Sequence, residues 1–382
     1  MGFGSSKPLP LPENMNAVIV GGGYGGTQMA NNLKGRCNVI LIDPKDAFHH
    51  NMAALRAAVE PGFAPKTLIP YQKTYGDVFK RGLVTSINTD ENSVVLDTGE
   101  KVPFTHLFIA TGSRGPFPGK LVSPPKVSLE KGVEMYSNIA DQIKNAKDIV
   151  VVGGGAVGVE LAGEIATDYK DKKVTLVHPH QRLADPKTND QFQDQIKSQL
   201  KDLGVNVLLG ERVSNLSELP ACQTMSTLNT VKTDTGKEIG ADLVVPCTGL
   251  RTNTSAYENG LADKMDKDGC LKVNEYFQVE GTKNIYAFGD CANVAETKLA
   301  YNAGVHADKI AKNLENEAAG KQLAAYKPAN FFMAMSCGRN GGMMQMGGWV
   351  VGSFVARRLK SGQVFVPMVW KKMGQPIPES KP

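Results

Sequence analysis

Apolar residues in this chain gather in short unbroken runs that end on glycine or on a carboxylate. Ala17-Val18-Ile19-Val20 leads into Gly21-Gly22-Gly23-Tyr24-Gly25-Gly26, and Val39-Ile40-Leu41-Ile42 ends on Asp43. The first run reads as a strand and the phosphate loop of a dinucleotide-binding unit. Gly21 permits the tight turn, Gly23 lets the backbone approach a pyrophosphate, and Gly26 allows close helix–strand packing. Asp43 falls 20 residues after Gly23, where a ribose 2′-hydroxyl needs an acceptor. The bland alternative is a glycine-rich turn in an unrelated α/β protein.

Farther on, Gly82–Ile87 and Ser93–Leu96 flank a polar turn and read as antiparallel strands. His106–Ile109 is a strand that ends in Ala110-Thr111-Gly112-Ser113. Pro116, Pro118, Gly119, Pro124 and Pro125 mark a linker. An amphipathic helix through Met135, Ile139 and Ile143 precedes Ile149–Val152, and Gly153-Gly154-Gly155-Ala156-Val157-Gly158 repeats the opening motif 132 residues later. Two dinucleotide loops in one chain point to hydride transfer between two cofactors. Glu160, in the first helical turn after the second loop, either complements the helix dipole or reaches a nicotinamide amide, and the second use is favoured. The following strand, Val174–Val177, ends at His178 rather than at an acid, with His180 and Arg182 beyond it.

A helix through Phe192, Ile196 and Leu200 leads to a strand at Val205–Leu209. Leu243–Cys247 ends in Thr248-Gly249, echoing Thr111-Gly112 as a return crossing between domains would. Asn284–Gly289 closes on Asp290, which is placed either for a flavin ribitol hydroxyl or as a helix N-cap. Residues 299–317 have a helical pattern, and strands are expected at Trp349–Val355 and Val364–Trp370. The fold class is therefore α/β: two Rossmann-like domains, the second inserted in the first, plus a small α+β C-terminal domain. The expected limits are 1–14 for a mobile tail, 15–125 and 251–320 for the first domain, 126–250 for the second, and 321–382 for the C-terminal domain.

With 382 residues, 41% of them hydrophobic and 21% charged, the chain has ordinary globular composition. A net charge of +5, without a basic run interleaved with aromatics, gives no reason to expect a specific nucleic-acid partner. Six scattered cysteines lack CxxC or metal-ligand spacing, so no metal is expected and a reducing, cytoplasmic setting is. There is no apolar run of about 18 residues and no secretory h-region. The opening Met1-Gly2-Phe3-Gly4-Ser5-Ser6 fits the acylation pattern that would place myristate on Gly2.

The paired loops, the two Thr-Gly turns and Gly289-Asp290 resemble the two-dinucleotide flavoprotein oxidoreductases. Lys45-Asp46-Ala47-Phe48-His49-His50-Asn51, Pro116–Lys120, Gly338-Arg339-Asn340 and Trp370-Lys371 more narrowly resemble the apoptosis-inducing-factor group, over nearly the whole chain. The resemblance implies a FAD enzyme that oxidises NADH or NADPH and reduces ubiquinone, with vitamin K quinones as further substrates, at membranes, limiting lipid peroxidation and ferroptosis. It implies FAD contacts at Gly21 to Gly25, Arg56, Val84 and Asp290, a pyridine-nucleotide role for Glu160, and His50 and Lys360 near flavin and quinone. Related proteins can carry FAD hydroxylated on its ring, and a homodimer is an option. The expected location is peripheral, on plasma membrane, lipid droplets or mitochondrial outer membrane. Disulfide reductases place a redox cysteine pair after the first loop; here Phe48-His49-His50-Asn51 occupies that region, so reduced flavin must pass its electrons directly to an outside acceptor. From the residues alone, the His49-His50 pair is a proton relay or a polar loop end. A flavin reductase for a soluble or iron–sulfur acceptor and a lipid-anchored protein with a vestigial flavin are the competing readings.

Overall fold

The computed structural model describes residues 11–12, 14–121 and 125–379. Gly2 and most of the expected tail lie outside them. Leu11, inside the expected tail, is buried against the core.

The first dinucleotide sheet has five parallel strands in the order Ile285–Ala287, His106–Ile109, Asn16–Val20, Asn38–Asp43, Phe79–Arg81. Strands from both ends of the sequence meet there, around a second parallel sheet ordered Asn206–Leu209, Lys173–His178, Asp148–Val152, Leu243–Pro246. Their unbroken apolar runs follow from burial on both faces. Ala17 and Ile19 point into one core while Val18 and Val20 point into another, and Ile149 and Val151 divide from Val150 and Val152 in the same way.

The glycines of the two loops carry the same constraints. Gly21 and Gly153 sit at φ +103° and +117°, where only glycine is at ease. A Cβ on Gly26 would meet the Gly21 carbonyl oxygen at 1.8 Å, and one on Gly158 would meet that of Gly153 at 1.7 Å. The third glycine therefore lets each helix lie against its own strand.

The C-terminal segment is an antiparallel meander, Phe332–Cys337, Gly341–Met346 and Trp349–Val351, packed on helices Ala156–Asp168 and Asp190–Asp202. Two expectations fail here. The strand at Trp349 stops at Val351, and Gly352 caps a helical turn that widens into a π-turn over Arg357–Ser361. Val364–Trp370 is no strand: Val364 and Phe365 have positive φ, and a helix runs over Val366–Lys372 with Pro367 in its first turn. Pro367 lacks the N–H a sheet ladder needs, but the first turn of a helix does not use that donor. No helix among the described residues is long and apolar enough to cross a membrane.

Candidate active site

A cavity of about 1140 Å³ runs from the first glycine loop to the second and on to the C-terminal segment. At one end lie Gly21, Gly22, Gly23, Tyr24 and Gly25, with Asp43, Val84, Thr111, Gly112 and Asp290 around them. Helix Tyr24–Leu33 opens there with Gly23 at its cap and no side-chain acceptor for its first N–H groups. Helix Ala156–Asp168 opens in the same way at Gly155. A Cβ on Gly23 or Gly155 would meet nothing within 4 Å. Uncapped helix N-termini beside open space suit a diphosphate, so the residues present fit one dinucleotide at each loop.

Asp43 ends its strand buried. Its Oδ2 accepts from the Gly22 N–H (2.7 Å), and Oδ1 takes the Lys45 N–H and ammonium (both 2.9 Å). His178 holds the corresponding place in the second unit, its Nδ1 accepting from the Gly154 N–H at 2.9 Å. That bond leaves Nδ1 without a proton, and burial together with His180 lowers the pKa of the ring. Gly153, Gly158 and His178 support the second loop from behind without lining the cavity, as Gly26 does for the first, and Gly249 is exposed outside the lining.

Asp290 lies in the turn Gly289–Cys291 and accepts the Ser113 hydroxyl at 2.5 Å. The N-cap alternative falls away, because the next helix starts at Ala300 with Leu299 at its cap. A chain of buried bonds fixes this turn: the Gly289 N–H donates to His306 Nδ1 (3.1 Å), His306 Nε2 meets Glu296 Oε1 (2.7 Å), and Tyr326 donates to Glu296 Oε2 (2.9 Å). Sequence reasoning missed this support because its members have no motif spacing.

Toward the C-terminal segment, Glu160 is buried and neither decorates the helix dipole nor stands free. Its Oε1 takes the Lys360 ammonium at 2.6 Å and the Ser336 N–H at 2.9 Å, and both side chains border the cavity. Phe332, Met333, Phe365 and Met368 make this end apolar.

Two assignments are corrected. Arg56 does not line the cavity; its guanidinium is buried against Glu164 and two carbonyls. His50 is fully buried and outside the lining, its Nε2–H donating to the Val364 carbonyl (2.7 Å) and its Nδ1 accepting from Tyr24 (2.7 Å). Burial lowers its pKa to about 4, against a weaker opposing effect of the Val364 carbonyl, so it does not titrate near neutrality. The histidine that borders the cavity is His49, donating to Tyr136, whose hydroxyl donates in turn to the Pro118 carbonyl. Burial first, then Lys45 and Lys120, lowers its pKa as well.

All six cysteines are free, and none borders the cavity. Among the described residues no cluster of His, Cys, Asp or Glu could hold a metal ion.

A family model described as pyridine nucleotide-disulphide oxidoreductase matches residues 15–307. Ferroptosis suppressor protein 1 of Homo sapiens is 45% identical over 366 residues, covering 95% of this chain and 97% of its own. Apoptosis-inducing factor homolog B of Dictyostelium discoideum is 34% identical over 386 residues, covering 96% and 98%. Among solved structures, the sulfide:quinone oxidoreductase of Aquifex aeolicus superposes with a TM-score of 0.72 at 16% identity, covering 96% of this chain and 93% of that one; it shares the fold. With two glycine loops, their open helix ends and these relatives, the chain belongs to the pyridine nucleotide-disulphide oxidoreductase family, in its branch of ferroptosis suppressor and apoptosis-inducing-factor-like proteins, and is an NAD(P)H-dependent flavoprotein oxidoreductase whose cofactors are FAD and NAD(P)H.

Proposed function

We propose that the protein is an NAD(P)H:quinone oxidoreductase that reduces ubiquinone, and vitamin K quinones besides, at a membrane surface, and so limits lipid peroxidation. The observation that carries this reading is the apolar end of the cavity, where Phe332, Met333, Phe365 and Met368 adjoin the Glu160–Lys360 pair and no cysteine is present. Without a dithiol, electrons leave for an external acceptor, and an apolar entrance beside the Lys360 ammonium suits a quinone ring that bears carbonyl oxygens.

Bound FAD supplies the two-electron relay between nicotinamide and quinone. The protein's residues do the remainder. The first loop, Asp43 and Asp290 hold FAD; the second loop, braced by His178 through the Gly154 N–H, holds the pyridine nucleotide; Glu160 orients the nicotinamide end. Lys360, its charge fixed by Glu160, polarises a quinone carbonyl. His50 holds Tyr24 and the Val364 backbone in place and moves no proton near neutral pH.

Anaerobic absorption spectra of the purified protein test the proposal. NADH should bleach a flavin band and a short-chain ubiquinone should restore it. Bleaching without return on quinone, but with return on a ferredoxin-type or other soluble acceptor, would overturn the quinone assignment.

A further inference from the structure

Helix Ala156–Asp168 carries two glutamates one turn apart, Glu160 and Glu164, and each anchors a different cation. Glu160 holds Lys360. Glu164 accepts from Arg56 Nη2 (2.8 Å) and Nε (3.2 Å), and both of these side chains are buried. The same guanidinium donates through Nη1 to the Gly362 carbonyl (2.9 Å) and through Nη2 to the Ser361 carbonyl (2.6 Å). Those carbonyls end the π-turn that carries Lys360, where a helical turn leaves its acceptors unmatched.

From this we propose that Arg56 is a positioning residue for Lys360 rather than a flavin ligand. The inference rests on the quinone reading only for the use to which Lys360 is put. The planar guanidinium spans a carboxylate on one side and two consecutive carbonyls on the other, a geometry that the single ammonium of lysine cannot reproduce. Arg56 comes from the short helix Ala54–Ala57 of the first dinucleotide domain, so it ties the C-terminal turn to the helix that bears Glu160. The helix that bears both glutamates also lies close against the C-terminal meander, because a Cβ on Gly163 would meet the Gly338 nitrogen at 2.6 Å. Arg339 adds bonds to Glu60 and Asp168 at the same corner.

The test uses the FAD-loaded full chain with Arg56→Met, Lys360→Met and the two combined. Arg56→Met should keep full flavin content and raise KM for a short-chain ubiquinone about tenfold, and the double variant should be no worse than Lys360→Met alone. In a crystal structure of Arg56→Met the Lys360–Glu160 contact should be lost. Should Glu164, left with only the Arg339 guanidinium 3.6 Å away, prevent folding, Arg56→Met/Glu164→Gln removes both charges and is read in the same way. Flavin loss, independent multiplication of the two effects, or an intact Lys360–Glu160 contact overturns the proposal. An unaltered quinone rate in Lys360→Met alone would sink the role given to Lys360 in catalysis, and the crystal structure and flavin content would still decide the placement.

Discussion

Lys360 Nζ lies 2.6 Å from Glu160 Oε1, joining the C-terminal segment to the helix that follows the second glycine loop. Glu160→Ala removes the carboxylate proposed to orient the nicotinamide and leaves the first loop untouched. Flavin content should be unchanged while reduction by NADH slows at least about tenfold, a barrier increase of ~1.4 kcal/mol. Stopped-flow bleaching of the flavin band measures it, and a normal rate would remove Glu160 from nucleotide use.

Asp290 is assigned to FAD in the proposed function. Its hydrogen bond from Ser113 and the His306–Glu296–Tyr326 support hold a carboxylate at the first loop. A charge-assisted hydrogen bond is worth about 1.5–3 kcal/mol, so Asp290→Asn should weaken FAD retention by roughly ten- to a hundredfold. His306→Leu, which breaks the support and leaves the Asp290 carboxylate itself in place, should act in the same direction. The ratio of flavin to protein absorbance after dialysis reports both, and full retention in Asp290→Asn would contradict the assignment.

His178 and Asp43 accept the same backbone bond in their respective units, from Gly154 and Gly22. Where a carboxylate would repel a 2′-phosphate, the neutral imidazole does not, so NADH and NADPH should both serve. His178→Asp should keep the backbone bond and lower kcat/KM for NADPH relative to NADH. Failure of the wild-type protein to use NADPH, or an unmoved ratio in the variant, would refute this account of specificity.

Motifs whose physics is local were legible in the sequence. Gly21, Gly26, Gly153 and Gly158 do what their spacing implies, because the turn and the helix–strand contact lie within a few residues of each other. The strand expected at Val364–Trp370 gives way to a helix from Val366 because an apolar run looks alike in a strand and in a short buried helix, and only Pro367 within it favours the helix start. Arg56 could not be placed at all: its partners Glu164, Ser361 and Gly362 are 108 to 306 positions away, and no periodicity connects them. The His49-His50 pair failed in a similar way, because which of two adjacent side chains faces the cavity depends on strand register.

Burial of His50 has a pH consequence. Its folded pKa of about 4 lies below the 6.5 of a free imidazole, so the folded state binds fewer protons. The stability this contributes is fully present above pH 6.5 and is lost as pH falls toward 4, an amount on the order of 3 kcal/mol. His49 shifts in the same direction. Thermal unfolding of His50→Gln should therefore depend less steeply on pH between 6.5 and 4 than that of the wild type. Equal slopes would show that the imidazole is not buried neutral. The quinone half-reaction should show no inflection near neutrality that His50→Gln abolishes.

Membrane action requires an attachment that the cavity does not supply. Acylation of Gly2 would give only marginal, reversible binding, so a second contact is needed. Trp349 and Phe354, 81% and 80% exposed, stand near the exposed Arg357 and Arg358, and Lys371 and Lys372 are exposed on the final helix. Trp370 and Lys360 do not belong to this surface: Trp370 is buried with its Nε1–H on the Lys66 carbonyl, and Lys360 is engaged by Glu160 beside the cavity. Each basic residue at an anionic surface is worth about 1 kcal/mol. Gly2→Ala should therefore release most of the protein from membranes in cells while leaving turnover of a water-soluble quinone unchanged. Trp349→Ser/Phe354→Ser should reduce flotation of the acylated protein with anionic vesicles. Undiminished membrane association of Gly2→Ala would refute the acyl anchor, and loss of soluble-quinone turnover would mean that the N-terminal segment belongs to the catalytic structure.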